Sequence, residues 1–84
     1  MVEATDLKQI YWRSRRGMLE LELKLVPFVR DHFRDLPEDE KAAYEAILAE
    51  EDWQIFDWLQ QRAVPEDPVI LAVVQKIIAH KGRL

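Results

Sequence analysis

The chain has 84 residues, a mass of 10.0 kDa and no cysteine. That leaves room for a single domain over residues 1–84 and excludes a disulfide framework, a thiolate metal site and a cysteine nucleophile. Hydrophobic residues make up 49% and charged residues 33%, an ordinary soluble composition with no apolar run near the ~20 residues of a membrane span. The net charge of −4 is unevenly spread. Residues 8–34 carry Lys8, Arg13, Arg15, Arg16, Lys24, Arg30 and Arg34 against only Glu20, Glu22 and Asp31. Residues 35–52 carry Asp35, Glu38, Asp39, Glu40, Glu45, Glu50, Glu51 and Asp52 against Lys41 alone. Such a dipolar surface suits a protein partner of complementary pattern. Its acidic half repels phosphate, which argues against nucleic acid.

The first predicted helix covers about residues 6–15, with Leu7, Ile10 and Tyr11 on one stripe. Thr5 or Asp6 is placed to cap it, and Gly17 to end it in the left-handed conformation. The second segment, residues 18–34, carries conflicting signals. Leu19, Leu21, Leu23 and Leu25 alternate with charged residues as in a strand. Yet Leu, Glu, Lys and Met are good helix formers, and Met18, Leu21, Leu25 and Phe28 share a helical stripe. Helix is the expectation, kinked or broken near Pro27, which cannot donate to the carbonyl of Leu23.

Pro37 suits the first position of a third helix, with Glu38, Asp39 and Glu40 at its positive end and Tyr44, Ile47 and Leu48 on its apolar face. It is expected to run to about Glu50. A short fourth helix over residues 53–61 takes Asp52 as its cap. Trp53, Phe56 and Trp58 are more aromatic surface than one short helix buries, so at least one is expected to be exposed. Asp67 and Pro68 open a fifth helix with the stripe Ile70, Val73, Val74, Ile77 and Ile78, ended by Gly82. The expected fold is an all-α compact bundle of about five helices joined by short loops.

Catalytic chemistry finds little support. His32 and His80 lie far apart in sequence, and the simpler reading of each is a solvated or helix-capping side chain. Ser14 is the only serine and has no histidine near it in sequence. Two glycines, Gly17 and Gly82, cannot build a glycine-rich phosphate loop. Arg13 and Arg15 read as a solvated basic helix end. Arg16 differs, because an arginine beside a forced turn is held in a defined direction, with Glu20 one turn later.

The stretch Arg15-Arg16-Gly17-Met18-Leu19-Glu20 resembles the RGxxE motif of the small succinate dehydrogenase assembly factors, the SdhE-type flavinylation factors. The likeness covers most of the chain. Tyr11 and Trp12 precede the double arginine, Pro27-Phe28 follows it, and Glu51-Asp52-Trp53-Gln54-Ile55-Phe56-Asp57-Trp58-Leu59 matches an aspartate-rich aromatic segment ending in Trp-Leu. Glu22 stands where many relatives have aspartate, with the charge kept.

The resemblance implies a non-enzymatic chaperone that binds the flavoprotein subunit of succinate dehydrogenase, and often of fumarate reductase, and promotes covalent FAD attachment. The bond-forming chemistry would belong to the flavoprotein, whose own histidine becomes the attachment point. Carried over, the motif positions are Arg16, Gly17 and Glu20. Gly17 would permit a turn and close approach of the partner, while Arg16 and Glu20 would make charge-assisted contacts with the partner or each other. Arg15, Trp53 and Trp58 complete the expected partner-binding set. Phe56 is expected in the core, with Trp53 and Trp58 open between core and interface. No FAD is expected to be held by the isolated chain beyond transient contact through the partner, and no metal. A monomer in the bacterial cytosol is expected, away from membrane and nucleic acid. The alternative is a protein-binding regulatory or antitoxin-like module with a different partner.

Overall fold

The computed structural model describes residues 3–82; the side chains of residues 3–6 lie outside that description. Its elements are α1 (Glu3–Arg13), α2 (Leu19–His32), a 3-10 turn (Phe33–Asp35), α3 (Glu38–Leu48), α4 (Asp52–Leu59) and α5 (Pro68–Ala79). Five helices and, among the described residues, no strand make the all-α bundle that the sequence predicts. The radius of gyration is 11.7 Å, close to the ~12 Å of a folded chain of this length.

α2 is central. It packs against α1, α4 and α5, while α3 lies along α5. The leucine alternation resolves on this helix. Leu21 and Leu25 are fully buried, one turn apart, whereas Leu19 is 61% and Leu23 46% exposed. Leu19 and Leu23 are themselves one turn apart, so a period-two pattern has become two opposite helical stripes. Pro27 sits buried inside α2, which continues past it. The helix is joined from two pieces, with the change at Phe33, where the backbone tightens into the 3-10 turn.

Around α2 the core gathers Phe28, Phe33, Tyr44, Ile47, Ile55, Val73 and Ile77. Phe28 stacks on Tyr44 with ring centroids 6.0 Å apart, and Phe33 meets the same tyrosine edge-on at 5.6 Å. The tyrosine hydroxyl is also satisfied: it shares a 2.6 Å hydrogen bond with the hydroxyl of fully buried Ser14, which donates to the carbonyl of Ile10 at 2.8 Å.

Several helix boundaries differ from expectation. Pro37 sits in the cap position of α3 and not its first, and α3 ends at Leu48 and α4 at Leu59, each two residues short. α1 starts ahead of Thr5 and Asp6, which lie inside it and do not cap it. It stops at Arg13, and Gly17 does not have the positive φ of a left-handed cap. The hydroxyl of Ser14 bonding back to the carbonyl four residues earlier competes with helix continuation there. Asp52 opens α4 as its first residue, with Glu51 in the cap position. α5 ends at Ala79 with His80 extended, so Gly82 is not its cap. The Asp67 cap is as predicted: its carboxylate accepts from the amides of Val69 at 2.8 Å and Ile70 at 3.3 Å. Two residues past the end of α4 lies Gln61, the single non-glycine residue with positive φ (63°) among those described. The amides of Gln61 and Arg62 return to the carbonyls of Trp58 and Asp57 at 3.1 and 2.9 Å, the bond pattern of a Schellman motif.

Candidate functional site

The site is built around the α1–α2 loop. Between Arg13 and Leu19 the chain makes no regular structure, and its direction is held by Arg16. The Arg16 guanidinium donates to Asp52 Oδ1 at 2.7 Å, to the carbonyl of Leu48 at 2.9 Å and to that of Glu50 at 3.0 Å. These acceptors span the end of α3, the α3–α4 connection and the first residue of α4. The planar fork of arginine suits several acceptors at once, and a charged donor makes each bond stronger than a neutral one. The last carbonyls of α3 present partial negative charge and Asp52 a full one, so both favour the cation. Asp52, expected as a cap, spends its carboxylate on this clamp.

The clamp sets out the other motif residues. Gly17 is exposed, and a Cβ built on it would meet nothing within 4 Å. Met18 is extended and precedes α2, its carbonyl accepting from the amides of Leu21 and Glu22. Glu20 follows in the first turn, exposed, and makes no ion pair among the described residues. It meets neither Arg16 nor Lys24; the Lys24 ammonium instead donates to the carbonyls of Ile78 and His80 at 3.2 and 3.1 Å, tying α2 to the end of α5. Gly17, Leu19, Glu20 and Leu23 therefore form a strip of backbone, two apolar side chains and one free carboxylate open to solvent.

Arg15 is exposed and lies over the Trp12 ring at 5.7 Å, a cation–π contact that leaves charge and aromatic surface together. Trp12 and Trp53 are each 62% exposed. Trp58 is 9% exposed and joins the core, so Trp53 is the tryptophan of the α4 segment that faces outward. Phe56 is half-buried against the core beneath Arg62. Isolated large apolar side chains on a surface are common, and Trp12, Leu19, Leu23 and Trp53 are the ones exposed on α1, α2 and α4.

One juxtaposition had no signal in the sequence. The ends of α2 and α5 bring His32 and His80 together with ring centroids 4.6 Å apart, edge to face. His80 Nε2 lies 3.0 Å from Asp31 Oδ2, and Asp31 also accepts from Arg30 at 2.7 and 2.9 Å. The arginine bond, with lesser help from His80, holds the Asp31 carboxyl down to about 2. No group of three or more metal-ligating side chains gathers among the described residues.

The comparisons with known proteins agree along almost the whole length. The family model described as flavinator of succinate dehydrogenase matches residues 8–81. The FAD assembly factor SdhE of Pseudomonas aeruginosa is 42% identical over 78 residues, covering 93% of each chain. The chain belongs to the flavinator of succinate dehydrogenase family. The protein of the same name from Pseudomonas savastanoi pv. phaseolicola is 44% identical over 78 residues, again 93% of each chain. That of Photobacterium profundum is 34% identical over 82 residues, covering 98% of this chain and 93% of its own.

A flavin ring presents several polar heteroatoms and its diphosphate several charges, which call for buried donors and a phosphate cradle. Among the described residues no buried polar side-chain atom lacks a partner, and the exposed loop at Gly17 is not a glycine-rich turn. The depression between the end of α2 and α5, of about 390 Å³, is lined by Phe28, Leu36, Pro37, His32, Asp35, Lys76 and Ala79, and its lysine is already bonded to Glu40 at 2.5 Å.

Proposed function

We propose that the chain is an assembly factor that binds the flavoprotein subunit of succinate dehydrogenase, and of fumarate reductase, and promotes covalent attachment of FAD to it. The observation that carries this reading is the solvent-facing strip of Gly17, Leu19 and Glu20, set out by the Arg16 clamp in a chain of this family. The bare backbone at Gly17 admits close approach, Leu19 and Leu23 offer apolar contact, and Glu20 offers an unshared carboxylate to a basic group of the client. Arg15 stacked over Trp12, and Trp53 on α4, are further exposed groups that the client could meet.

The assembly factor is not an enzyme in this reading. Its only serine is sealed against Tyr44 and holds no exposed nucleophile. The client supplies the flavin site and the side chain that takes the flavin. Docking favours the client conformation in which the two are aligned, which raises the rate by lowering the cost of alignment. The factor acts as a monomer in the bacterial cytosol, where the flavoprotein subunit is assembled. Among the described residues, no helix is long and apolar enough to cross a membrane.

The test is co-expression of the flavoprotein subunit with this chain in a host lacking its own assembly factor, read by in-gel flavin fluorescence of the denatured subunit. Wild type is expected to give a strong signal, and folded Gly17→Arg and Glu20→Ala variants a weak one. Equal fluorescence in every lane, including one without the chain, overturns the reading and sends the search to an unbiased pull-down for another partner.

A further inference from the structure

α1 and α2 enclose a second surface feature that uses none of the motif residues. It is a groove of about 360 Å³ lined by Leu7, Tyr11 and Val29 and by Lys8, Arg30 and Arg34. Leu7 and Tyr11 are one turn apart on α1, so both face the same side, with Lys8 beside them. Arg30 and Arg34 are one turn apart across the end of α2 and the 3-10 turn. Arg30 is engaged by Asp31. Lys8 and Arg34 are exposed and make no ion pair among the described residues. No carboxylate is among the described residues that line the groove.

A concentration of cations around an apolar floor is unusual on a chain of net charge −4. Surface arginines and lysines are ordinarily interspersed with acids, as they are on α3, where Lys41 has Glu38 at 3.7 Å. Here the pattern asks for two things from one ligand: an apolar group to cover the floor and anionic groups to meet the rim. A polynucleotide supplies the charge and bases that stack on an aromatic ring, but no aliphatic group to cover Leu7 and Val29. It would also carry its phosphates past the acids of residues 35–52. An acidic peptide supplies both from successive residues, in the manner of other amphipathic segments that lie in grooves.

We propose that the α1–α2 groove is a docking site for an acidic peptide segment bearing an apolar side chain. The apolar side chain seats on Leu7, Tyr11 and Val29, and the flanking carboxylates pair with Lys8 and Arg34, with Arg30 adding to the field. The proposal stands apart from the flavinylation reading, since it involves neither Gly17 nor Glu20.

The probe is a fluorescein-labelled peptide Glu-Glu-Leu-Phe-Glu-Glu, titrated with the full chain and followed by anisotropy. Binding is expected to be saturable and to weaken as salt screens the rim. A Lys8→Glu/Arg34→Glu variant is expected to raise Kd about tenfold or more. Both positions are exposed, and a Lys8→Gln/Arg34→Gln variant with unchanged far-UV circular dichroism guards against misfolding. A peptide with its Leu and Phe replaced by Ser is expected to lose binding, and the amide signals of Leu7, Tyr11 and Val29 to shift with the original peptide alone. Absence of saturable binding, an unchanged Kd in both folded variants, or equal binding of the Ser peptide overturns the proposal. So does a labelled uridine hexanucleotide that binds as tightly through the same residues, which would make the groove a general polyanion patch.

Discussion

Arg16 and Asp52, thirty-six residues apart, are joined by a 2.7 Å charge-assisted hydrogen bond that fastens the motif loop to the start of α4. The arginine side chain is 17% exposed and also holds the carbonyls of Leu48 and Glu50. Its first duty is therefore internal, to present Gly17 and Glu20 in a fixed direction. Arg16→Ala is expected to lower stability by about 1–3 kcal/mol, because it strands carbonyls at the end of α3 as well as a carboxylate. Asp52→Ala removes one acceptor of this clamp, at a more exposed position, and is expected to cost about 1 kcal/mol. Arg16→Lys is expected to recover little, since a point ammonium cannot serve three acceptors in a plane. Urea unfolding of the two alanine variants and their double variant checks this; additive losses would mean that the two residues do not act together.

Gly17 separates backbone need from partner need. Its φ is not positive and a Cβ there is unopposed, so the folded chain itself tolerates a side chain. Gly17→Ala is expected to leave stability within about 0.5 kcal/mol of wild type, or to raise it slightly through the unfolded state. Gly17→Arg is expected to remain folded while flavinylation falls. Thermal melts beside the fluorescence assay check both, and a Gly17→Ala variant that unfolds readily would show that the glycine is structural.

Gln61 is the converse case. It carries a φ of 63° without being glycine, at the point where α4 closes its last carbonyls. Gln61→Gly is expected to stabilise the chain by about 0.5–1 kcal/mol, because glycine adopts this conformation without a Cβ clash. A rise in the urea midpoint at unchanged slope is the signature.

Asp31 gives an acid-side dependence. The hydrogen bond from Arg30, and after it the contact with His80, holds its carboxyl below the ordinary 3.8, at about 2. A carboxyl lowered on folding adds stability above its unfolded value and loses it as pH falls through the folded one. Wild type is thus expected to unfold at higher urea than Asp31→Asn at pH 7. The gap should close between about 3.8 and 2. A gap that persists below that window would point to a packing role for the side chain instead.

The sequence signals that succeeded were local ones. Apolar stripes and propensity were enough to choose helix over strand for Leu19–Leu25, and burial of Leu21 and Leu25 bears that out. The Asp67–Pro68 start of α5 was readable because a cap acts within three residues. Punctuation failed where a distant contact decided the outcome. Gly17 looks like a helix stop, yet α1 ends earlier, where Ser14 folds its hydroxyl back and meets Tyr44 thirty residues on. Asp52 looks like a cap, yet Arg16 claims its carboxylate. The pairing of His32 with His80 depends on how α2 and α5 terminate side by side, which no periodicity reports. Within the motif, Glu20 could be located by pattern, but its freedom from any ion pair follows only from Lys24 turning to the α5 carbonyls.

The Ser14–Tyr44 bond is the most enclosed polar contact in the core, and it yields the alkaline counterpart to Asp31. Both side chains are fully buried, and the hydroxyls lie 2.6 Å apart. Ser14→Ala leaves the tyrosine hydroxyl without its partner and is expected to cost about 1–3 kcal/mol, whereas adding Tyr44→Phe removes the orphan and should return part of that loss. Burial pushes the Tyr44 phenol well above its usual 10.0, outweighing the opposing influence of Ser14 and the nearby arginines. The folded state therefore keeps its proton where the unfolded chain gives it up. The resulting stability is complete below pH 10.0, the unfolded value, and declines as pH rises beyond it. Urea midpoints measured on either side of that value are expected to fall steeply for wild type and less so for Tyr44→Phe. Parallel pH profiles for the two proteins would show that the alkaline loss arises elsewhere, and that the phenol can ionise without opening the core.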